Sequence, residues 1–353
     1  MLAGRLADPN CTLGTDPRSD PRMVAALTGI GLAGELPEAR SRSTRRSRTC
    51  SPTARPPRRW WASVFDHLAL AAEAPTGVSA STVTIPGADG NELTLFVSRP
   101  TAAPDGPLPA VVHFHGGGMA IASAADAATG CCASTWPLPA WWWSAWSSAT
   151  RAAGRVHPYP AGLNDCAAAT RWVHANAADL GISHLIVCGE SGGGNLTLTV
   201  THKAKREGWL DEIAGAYAQC PYISNRWLDY PEELPSLREN DGYFISCQQA
   251  ALPRCPVRPR QEAFARADLL GVERHRAGPG RDAPHVISVN ELDPLRDEGL
   301  LYYRRLLAAG VSAVGRIVAG TCHGGDMMFP HAMPDVLAAT VRDISGFARS
   351  LTP

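Results

Sequence analysis

The sequence predicts an α/β protein in which helices flank a mostly parallel, twisted central sheet. Three short apolar runs are typical of strands buried on both faces: Pro109–Val112, Leu185–Cys188 and Val286–Val289. Each run is followed by a loop of glycines or polar residues, and stretches with helical spacing separate the runs. Strands that alternate with helices in this way form parallel sheets with crossover helices.

The chain divides into an N-terminal segment, residues 1–75, and a main domain, residues 76–353. We expect part of this segment to be disordered. The rest is expected to supply helices to a cap over the active site. Its residues 40–59 hold eight arginines among serines, threonines and prolines, with no apolar period. Taken alone, that stretch would suggest a nucleic-acid-binding tail or a transit peptide.

The main domain begins with two predicted antiparallel strands, Ser81–Ile85 and Leu93–Val97, which flank a glycine-rich turn. Apolar residues at helical spacing predict a helix over Ala161–Ala177. A further buried strand is predicted over Ala214–Cys220. The insertion after it, about residues 222–283, is expected to build the rest of the cap.

Aromatic side chains are frequent in the first part of this insertion. Two interpretations stay open, because such residues can shape a substrate pocket or simply pack the cap onto the body of the protein. The residues concerned are Tyr222, Trp227, Tyr230, Tyr243 and Phe244.

A run of three glycines follows the first buried strand, in His115–Gly118. Without Cβ atoms the backbone can approach a ligand closely and point N–H groups into a cleft, where they could hold an oxyanion. The alternative is a merely flexible loop. We expect His113 to be a structural histidine with satisfied hydrogen bonds, and His115 to orient the loop rather than transfer protons.

Gly189–Gly193 has the Gly-x-Ser-x-Gly pattern and lies between the strand Leu185–Cys188 and a helix predicted over Asn195–Lys205. A serine in so tight a strand-to-helix turn is held in a strained conformation and exposed at a helix N-terminus, where developing negative charge is favoured. This context predicts that Ser191 is a nucleophile.

An acid and a histidine follow the next two strands. Asp293 comes just after Val286–Val289, and His323 comes after the shorter predicted strand Gly315–Val318. Serine, acid and histidine in this chain order are typical of α/β-hydrolases. In that arrangement His323 takes the proton of Ser191, and Asp293 fixes the imidazole tautomer and stabilises the imidazolium.

Other residues could be mistaken for this acid and base. Asp297 and Glu298 precede a helix predicted over Gly299–Ala309, where acids suit the helix dipole. His331 lies further beyond its strand and lacks adjacent glycines. Asp326 is expected to cap or solvate its loop.

These motifs together resemble the hormone-sensitive-lipase-like branch of the α/β-hydrolase esterases. The resemblance runs from about residue 81 to the end of the chain, and its motifs are HGGG at 115–118, HPYPA at 157–161, GESGGGN at 189–195, DPL at 293–295 and HG at 323–324. Glu190 and Gly192 differ from the commonest residues of that branch, and both are compatible with the turn.

The resemblance implies the α/β-hydrolase fold and hydrolysis of carboxylic esters through an acyl-enzyme, with no metal and no organic cofactor. It implies oxyanion donors at Gly117, Gly118 and Gly192. Supporting positions are expected at His115, Gly116 and Glu190. The implied partner is a small-molecule ester, and a homodimer is a possible assembly.

Composition agrees with such an enzyme. The 353 residues are 45% hydrophobic, and the formal net charge is zero, so bulk charge predicts neither nucleic acid nor an anionic membrane as a partner. No apolar run reaches the ~18 residues that a membrane span needs, and we see no secretory signal. The ten cysteines show no CxxC and no metal-type spacing, so we expect a reducing cytoplasm and buried thiols such as Cys188 and Cys220.

The fold needs another strand between the glycine loop and Ala161, yet residues 131–155 hold five tryptophans and no β-branched run. Tryptophan has the single codon TGG, so Trp141–Trp143 fix the bases TGGTGGTGG. Read from one base earlier, they encode Leu, Met or Val followed by two valines, which suits a buried strand. We hypothesise that residues 131–155 are out of frame, and that the arginine-rich residues 40–59 and 253–283 share that origin. The alternative is a real tryptophan-rich strand or a lipid-facing patch.

The hypothesis bears on function. Large side chains forced into a core lower the free energy of unfolding by ~1–3 kcal/mol per site. The summed cost of several such sites is comparable with the whole free energy of unfolding of a domain. If the chain exists as written, the alternative function is a catalytically impaired or silent protein on the same fold.

Sequencing the gene across the codons for residues 131–155 tests the frame. We expect the genomic read to differ by compensating insertions and deletions that restore a valine-rich strand. A read that reproduces the present frame without change removes the hypothesis.

Overall fold

The computed structural model describes most of the main domain and part of the N-terminal segment. The described residues are 4–34, 77–102, 106–118, 160–248 and 282–351, together with the backbone of residues 141–145. The arginine-rich residues 40–59 and 253–281 and the rest of 131–155 lie outside this description, so the frame hypothesis stays a prediction.

The described strands and helices alternate along the main domain. The strands are β1 (Val78–Pro86), β2 (Glu92–Pro100), β3 (Leu108–Phe114), β4 (Trp141–Ala145), β5 (Ile182–Glu190), β6 (Gly215–Gln219), β7 (His285–Asn290) and β8 (Ala313–Val318). The helices are α1 (Pro21–Gly29), α2 (Ala161–Ala175), α3 (Ala177–Leu180), α4 (Gly192–Glu207), α5 (Ser236–Glu239), α6 (Arg296–Ala308) and α7 (Pro334–Ser350), with a 3-10 turn at Leu210–Glu212.

All the described strands form one sheet in the order β1-β2-β4-β3-β5-β6-β7-β8. β1 pairs antiparallel with β2, and β2 pairs antiparallel with β4. From β4 to β8 every neighbouring pair is parallel. The predicted antiparallel start and mostly parallel sheet are therefore confirmed, and a strand lies at Trp141–Ala145, where the fold required one.

Helices cover both faces of the sheet, and this explains why the central strands are apolar throughout. On one face, Val112 and Phe114 of β3 share a buried cluster with residues of α2 and α4. On the other face, Val111 of β3 packs with α7 through Val341 and Ile344. Further along the sheet, α6 covers β7 in a third cluster.

Helix α4 begins earlier than predicted, at Gly192 instead of Asn195, directly after Ser191. A glycine run opposes helix formation by its backbone entropy, but close packing overrides this here. A Cβ on Gly193 would lie 1.7 Å from the carbonyl oxygen of Phe114, and a Cβ on Gly194 would lie 2.7 Å from that of Gln219. Only glycine permits this first turn to rest on the ends of β3 and β6.

The described N-terminal residues pack against the main domain. Leu13, Met23 and Leu27 are fully buried in one cluster with Phe244 and Leu292. The Asp20 side chain caps α1 by accepting a hydrogen bond from a backbone N–H of its first turn. Residues 4–34 therefore form a folded part of the molecule, while the division into a segment 1–75 and a domain 76–353 stays a prediction.

Two further sequence expectations concern membranes and thiols. Among the described helices, none combines the length and apolarity that a bilayer span requires. The six cysteines in the described ranges are all unpaired and buried, including Cys188 and Cys220. The expectation that these two thiols are buried is confirmed.

Replacing Gly193 with alanine should prevent the native fold, because the added methyl group would overlap the backbone of β3. We expect the free energy of unfolding to fall by more than ~4 kcal/mol, measured by urea denaturation or seen as loss of soluble protein.

Gly346 offers a matched control inside α7, where a Cβ would meet nothing within 4 Å. Gly346→Ala should raise the free energy of unfolding by ~0.5–1 kcal/mol, because alanine loses less backbone entropy in a helix. Equal stability of the two variants would contradict this account of the turn.

Candidate active site

The predicted nucleophile lies at the junction of β5 and α4. Ser191 has φ 55° and ψ −115°, a conformation that is costly for a residue with a Cβ. Its N–H donates to the carbonyl oxygen of Gln219 at 2.9 Å, and its carbonyl oxygen accepts from Asn195 at 3.0 Å and Tyr222 at 3.2 Å. The predicted strained turn is therefore present, and backbone hydrogen bonds on both sides hold it in place.

The predicted acid and base contact each other. Asp293 lies in the loop after β7 and is fully buried, and its Oδ2 accepts a hydrogen bond from His323 Nδ1 at 2.7 Å. Its other oxygen accepts from the N–H of Leu295 at 2.8 Å. With Nδ1 occupied as a donor, the Nε2 atom of His323 is the nitrogen left to accept a proton.

Asp293 sets the protonation behaviour of this histidine. Burial by itself lowers the pKa of His323, but the charge of Asp293 and the hydrogen bond to it outweigh that effect, so the pKa lies above its ordinary value of 6.5.

Within the described part of the chain no group is hydrogen-bonded to the Ser191 hydroxyl. Hydrogen bonds between a nucleophile and its base are often long before substrate binds.

Sequence reasoning assigned no role to Asn290, the last residue of β7, which organises the histidine loop. Its Oδ1 accepts from the N–H of Gly324 at 3.1 Å, and its Nδ2 donates to Thr321 Oγ1 at 2.8 Å and Asp326 Oδ1 at 2.9 Å. Asp326 also accepts from Thr340 of α7 at 2.9 Å. Asp326 was expected to cap or solvate its loop, and the solvated alternative is wrong, because the side chain is buried and bonded to Asn290 and Thr340.

The glycine loop lies beside Ser191. A Cβ on Gly116 would lie 3.3 Å from the Cβ of Ser191, which is tighter than ordinary van der Waals contact. The absence of a side chain on Gly116 therefore lets the loop approach Ser191 closely. Gly117 and Gly118 have φ of 107° and 57°, which favours glycine. Gly192, the third predicted oxyanion donor, is the first residue of α4.

The histidines around this loop are both buried and satisfied. His113 Nε2 lies 2.6 Å from Glu190 Oε2, which agrees with its predicted structural character. His115 Nδ1 donates to the carbonyl oxygen of Gly116 at 2.7 Å. Burial lowers the pKa of His115 to about 4, so its ring is neutral near pH 7, and its role in orienting the loop stays a prediction.

The rival acids and base are placed elsewhere. Helix α6 begins at Arg296 rather than Gly299, so Asp297 and Glu298 lie in its first turn, as the dipole argument requires. Glu298 is nevertheless buried, and burial raises its pKa to about 7. Its carboxylate accepts from the N–H of Ile223 at 2.6 Å and from Trp227 Nε1 at 3.1 Å. His331 is exposed.

Glu298 thereby fixes the start of the insertion that follows β6. Trp227, Tyr243 and Phe244 are almost fully buried, which favours the packing interpretation for these three aromatic residues. Tyr222 is half-buried, stacks on Trp227 with ring centroids 4.0 Å apart, and donates its N–H to Ser191. Tyr222 is therefore bonded to the backbone of the predicted nucleophile.

The described residues contain one group able to offer three metal ligands, formed by Cys220, Asp293 and His323 with ligand atoms within 4.8 Å of one another. The carboxylate and the ring already hydrogen-bond to each other. Burial and the nearby charge of Asp293 raise the pKa of the Cys220 thiol well above its ordinary value, and a protonated thiol is a poor ligand. The expectation of a metal-free site stays a prediction.

The chain matches a protein family described by the alpha/beta hydrolase fold over residues 111–327. It is 32% identical to carboxylesterase NlhH of Mycobacterium tuberculosis over 214 residues, which are 55% of this chain and 60% of that protein. The chain thus spans about 60% of the length of this curated relative.

Solved structures match over nearly the whole chain. A brefeldin A esterase, described as a bacterial homologue of human hormone sensitive lipase, is 37% identical with a TM-score of 0.82, covering 98% of this chain and 97% of that one. Esterase Est22 is 35% identical with a TM-score of 0.75, covering 96% of this chain and 99% of that one.

Proposed function

Because the chain belongs to the family with the alpha/beta hydrolase fold, which covers residues 111–327, we propose that it is a serine carboxylesterase. The observation that carries the proposal is the hydrogen bond between Asp293 and His323. Both residues follow the carboxyl ends of parallel strands, and so does the strained Ser191. The relatives named above support the reaction class, since they are called carboxylesterase or esterase.

The reaction divides into two steps. Ser191 attacks the ester carbonyl and passes its proton to His323, whose imidazolium Asp293 stabilises, and the alcohol then leaves with that proton. Water next attacks the acyl-enzyme by the same route and releases the acid. In both steps the N–H groups of Gly117, Gly118 and Gly192 hold the oxyanion.

The substrate is proposed to be a small or medium ester of a carboxylic acid. The same triad chemistry can act on amides, lactones or acyl acceptors other than water, so the assay below includes graded ester lengths. Location in a reducing cytoplasm is proposed from the unpaired buried thiols. A homodimer remains a prediction.

Turnover of p-nitrophenyl esters from acetate to dodecanoate tests the function directly. We expect the purified full-length chain to release nitrophenol, and Ser191→Ala to lower kcat by at least ~10⁴-fold because the nucleophile is gone. Ser81→Ala, an exposed serine on β1, serves as the matched control and should keep full activity. Equal, slow release by the wild type and Ser191→Ala would favour the silent alternative.

Asp293→Asn tests the electrostatic part of the mechanism. An asparagine at this position favours the wrong imidazole tautomer, so we expect kcat to fall by ~10³–10⁴. The base must be neutral to act, so wild-type kcat/KM should rise with pH through a pKa above 6.5. In the variant that midpoint should move to lower pH, because burial remains and the stabilising charge is lost.

The measurement is a pH–rate profile of kcat/KM for both proteins. Asp89→Asn, in an exposed turn, is the control and should leave the profile unchanged. A variant with wild-type kcat and an unmoved midpoint would contradict the assignment of Asp293.

A further inference from the structure

The carboxylate of Glu190 joins the strand that carries the nucleophile to the glycine loop. Glu190 is the last residue of β5 and directly precedes Ser191. Its Oε1 accepts a hydrogen bond from the N–H of Gly116 at 2.6 Å, and its Oε2 accepts from His113 Nε2 at 2.6 Å. Both bonds have the short lengths of charge-assisted hydrogen bonds.

The carboxylate is ionised at ordinary pH. Burial acts to raise the pKa of Glu190, but His113 and the N–H of Gly116 together outweigh it, and the pKa lies below its ordinary value. An ionised carboxylate only accepts hydrogen bonds, so both neighbours must donate to it. The side chain is 19% exposed, so water does little to replace these donors.

The bond to Gly116 restricts what the loop can do. The Gly116 N–H is occupied, so the oxyanion donors of this loop must come from Gly117 and Gly118. Those residues have positive φ and no side chains to fix them, and a glycine backbone loses much entropy when it is ordered. Ordering the first amide of the loop therefore removes much of the freedom of the next two.

His113 limits the position of the carboxylate from the other side. It lies on β3, the strand from which the glycine loop emerges, and it is 1% exposed. The three groups thus form one row from the strand, through the carboxylate, to the loop. Because Glu190 is covalently adjacent to Ser191, the row connects the glycine loop to the turn that holds this serine.

We propose that Glu190 is a positioning residue: its carboxylate, supported by His113, holds the glycine loop at the distance from Ser191 at which the loop amides can bind the oxyanion. The inference rests on the proposed esterase function and assigns to Glu190 a task distinct from shaping the turn. Because the oxyanion forms only during reaction, the loss of this side chain should lower kcat and leave KM nearly unchanged.

Two substitutions separate positioning from charge. Glu190→Ala removes the acceptor of the Gly116 N–H, and we expect kcat to fall by ~10²–10³, the effect of losing an oxyanion donor. Glu190→Gln keeps an oxygen that accepts from the Gly116 N–H. Its NH₂ group can donate to Nε2 of His113 when that histidine carries its proton on Nδ1. We expect Glu190→Gln to stay within ~10-fold of the wild-type kcat.

The experiment measures kcat and KM for p-nitrophenyl acetate, thermal unfolding midpoints, and amide hydrogen exchange of residues 115–118 by NMR, all on the full chain. Glu92→Ala, an exposed acid on β2, is the matched control and should keep the wild-type values. The expected result is a kcat loss in Glu190→Ala, rescue in Glu190→Gln, and faster exchange of the Gly116 amide in the alanine variant alone.

Wild-type kcat in Glu190→Ala would overturn the proposal, and so would a loss confined to KM. Equal loss in the alanine and glutamine variants would overturn it too, because charge rather than position would then be responsible. If the wild type were no more active than Ser191→Ala, the esterase function would fail. Unchanged exchange of the Gly116 amide in Glu190→Ala would separately reject the positioning role.

Discussion

The close approach of three backbone segments around the turn at residues 189–193 is the constraint on which the rest of the site depends. A Cβ on Gly189 or Gly193 would lie within 2.5 Å of the carbonyl oxygen of Phe114, a distance that real atoms do not tolerate. The backbone therefore packs with no room for side chains where the end of β3 meets the turn and the first turn of α4. Ser191 takes its positive φ inside this packing, and the glycine loop leaves the end of β3 next to it.

Buried acids then connect the loops that leave the sheet. Asp293 fixes His323, Asp326 joins the histidine loop to β7 and α7, and Glu298 fixes the start of the insertion. Burying a carboxylate is costly unless donors satisfy it, and each of these three is supplied with them. The result is a set of loops whose separation is held by hydrogen bonds in a region of low dielectric, where such bonds are strong.

The N-terminal residues add a second support to the loop that carries His323. The N–H of Cys322 donates to Met23 Sδ at 3.4 Å, and the N–H of Asp20 donates to the carbonyl oxygen of Gly320 at 2.9 Å. Met23 and Cys322 are fully buried in one apolar cluster. Residues about 300 positions apart in the chain thus contact the segment that immediately precedes His323.

Local patterns determined much of this protein by themselves. The apolar runs predicted the strands, the glycines predicted the turn at Ser191, and the order of the loops predicted which acid and histidine would meet. These features depend on residues close together in the chain or on the known geometry of parallel strands. Only the tertiary structure decided that α4 begins at Gly192, that Glu298 is buried and that Glu190 bonds to Gly116. Each of those outcomes depends on a contact between distant segments, and periodicity records which face is apolar without recording what will pack against it.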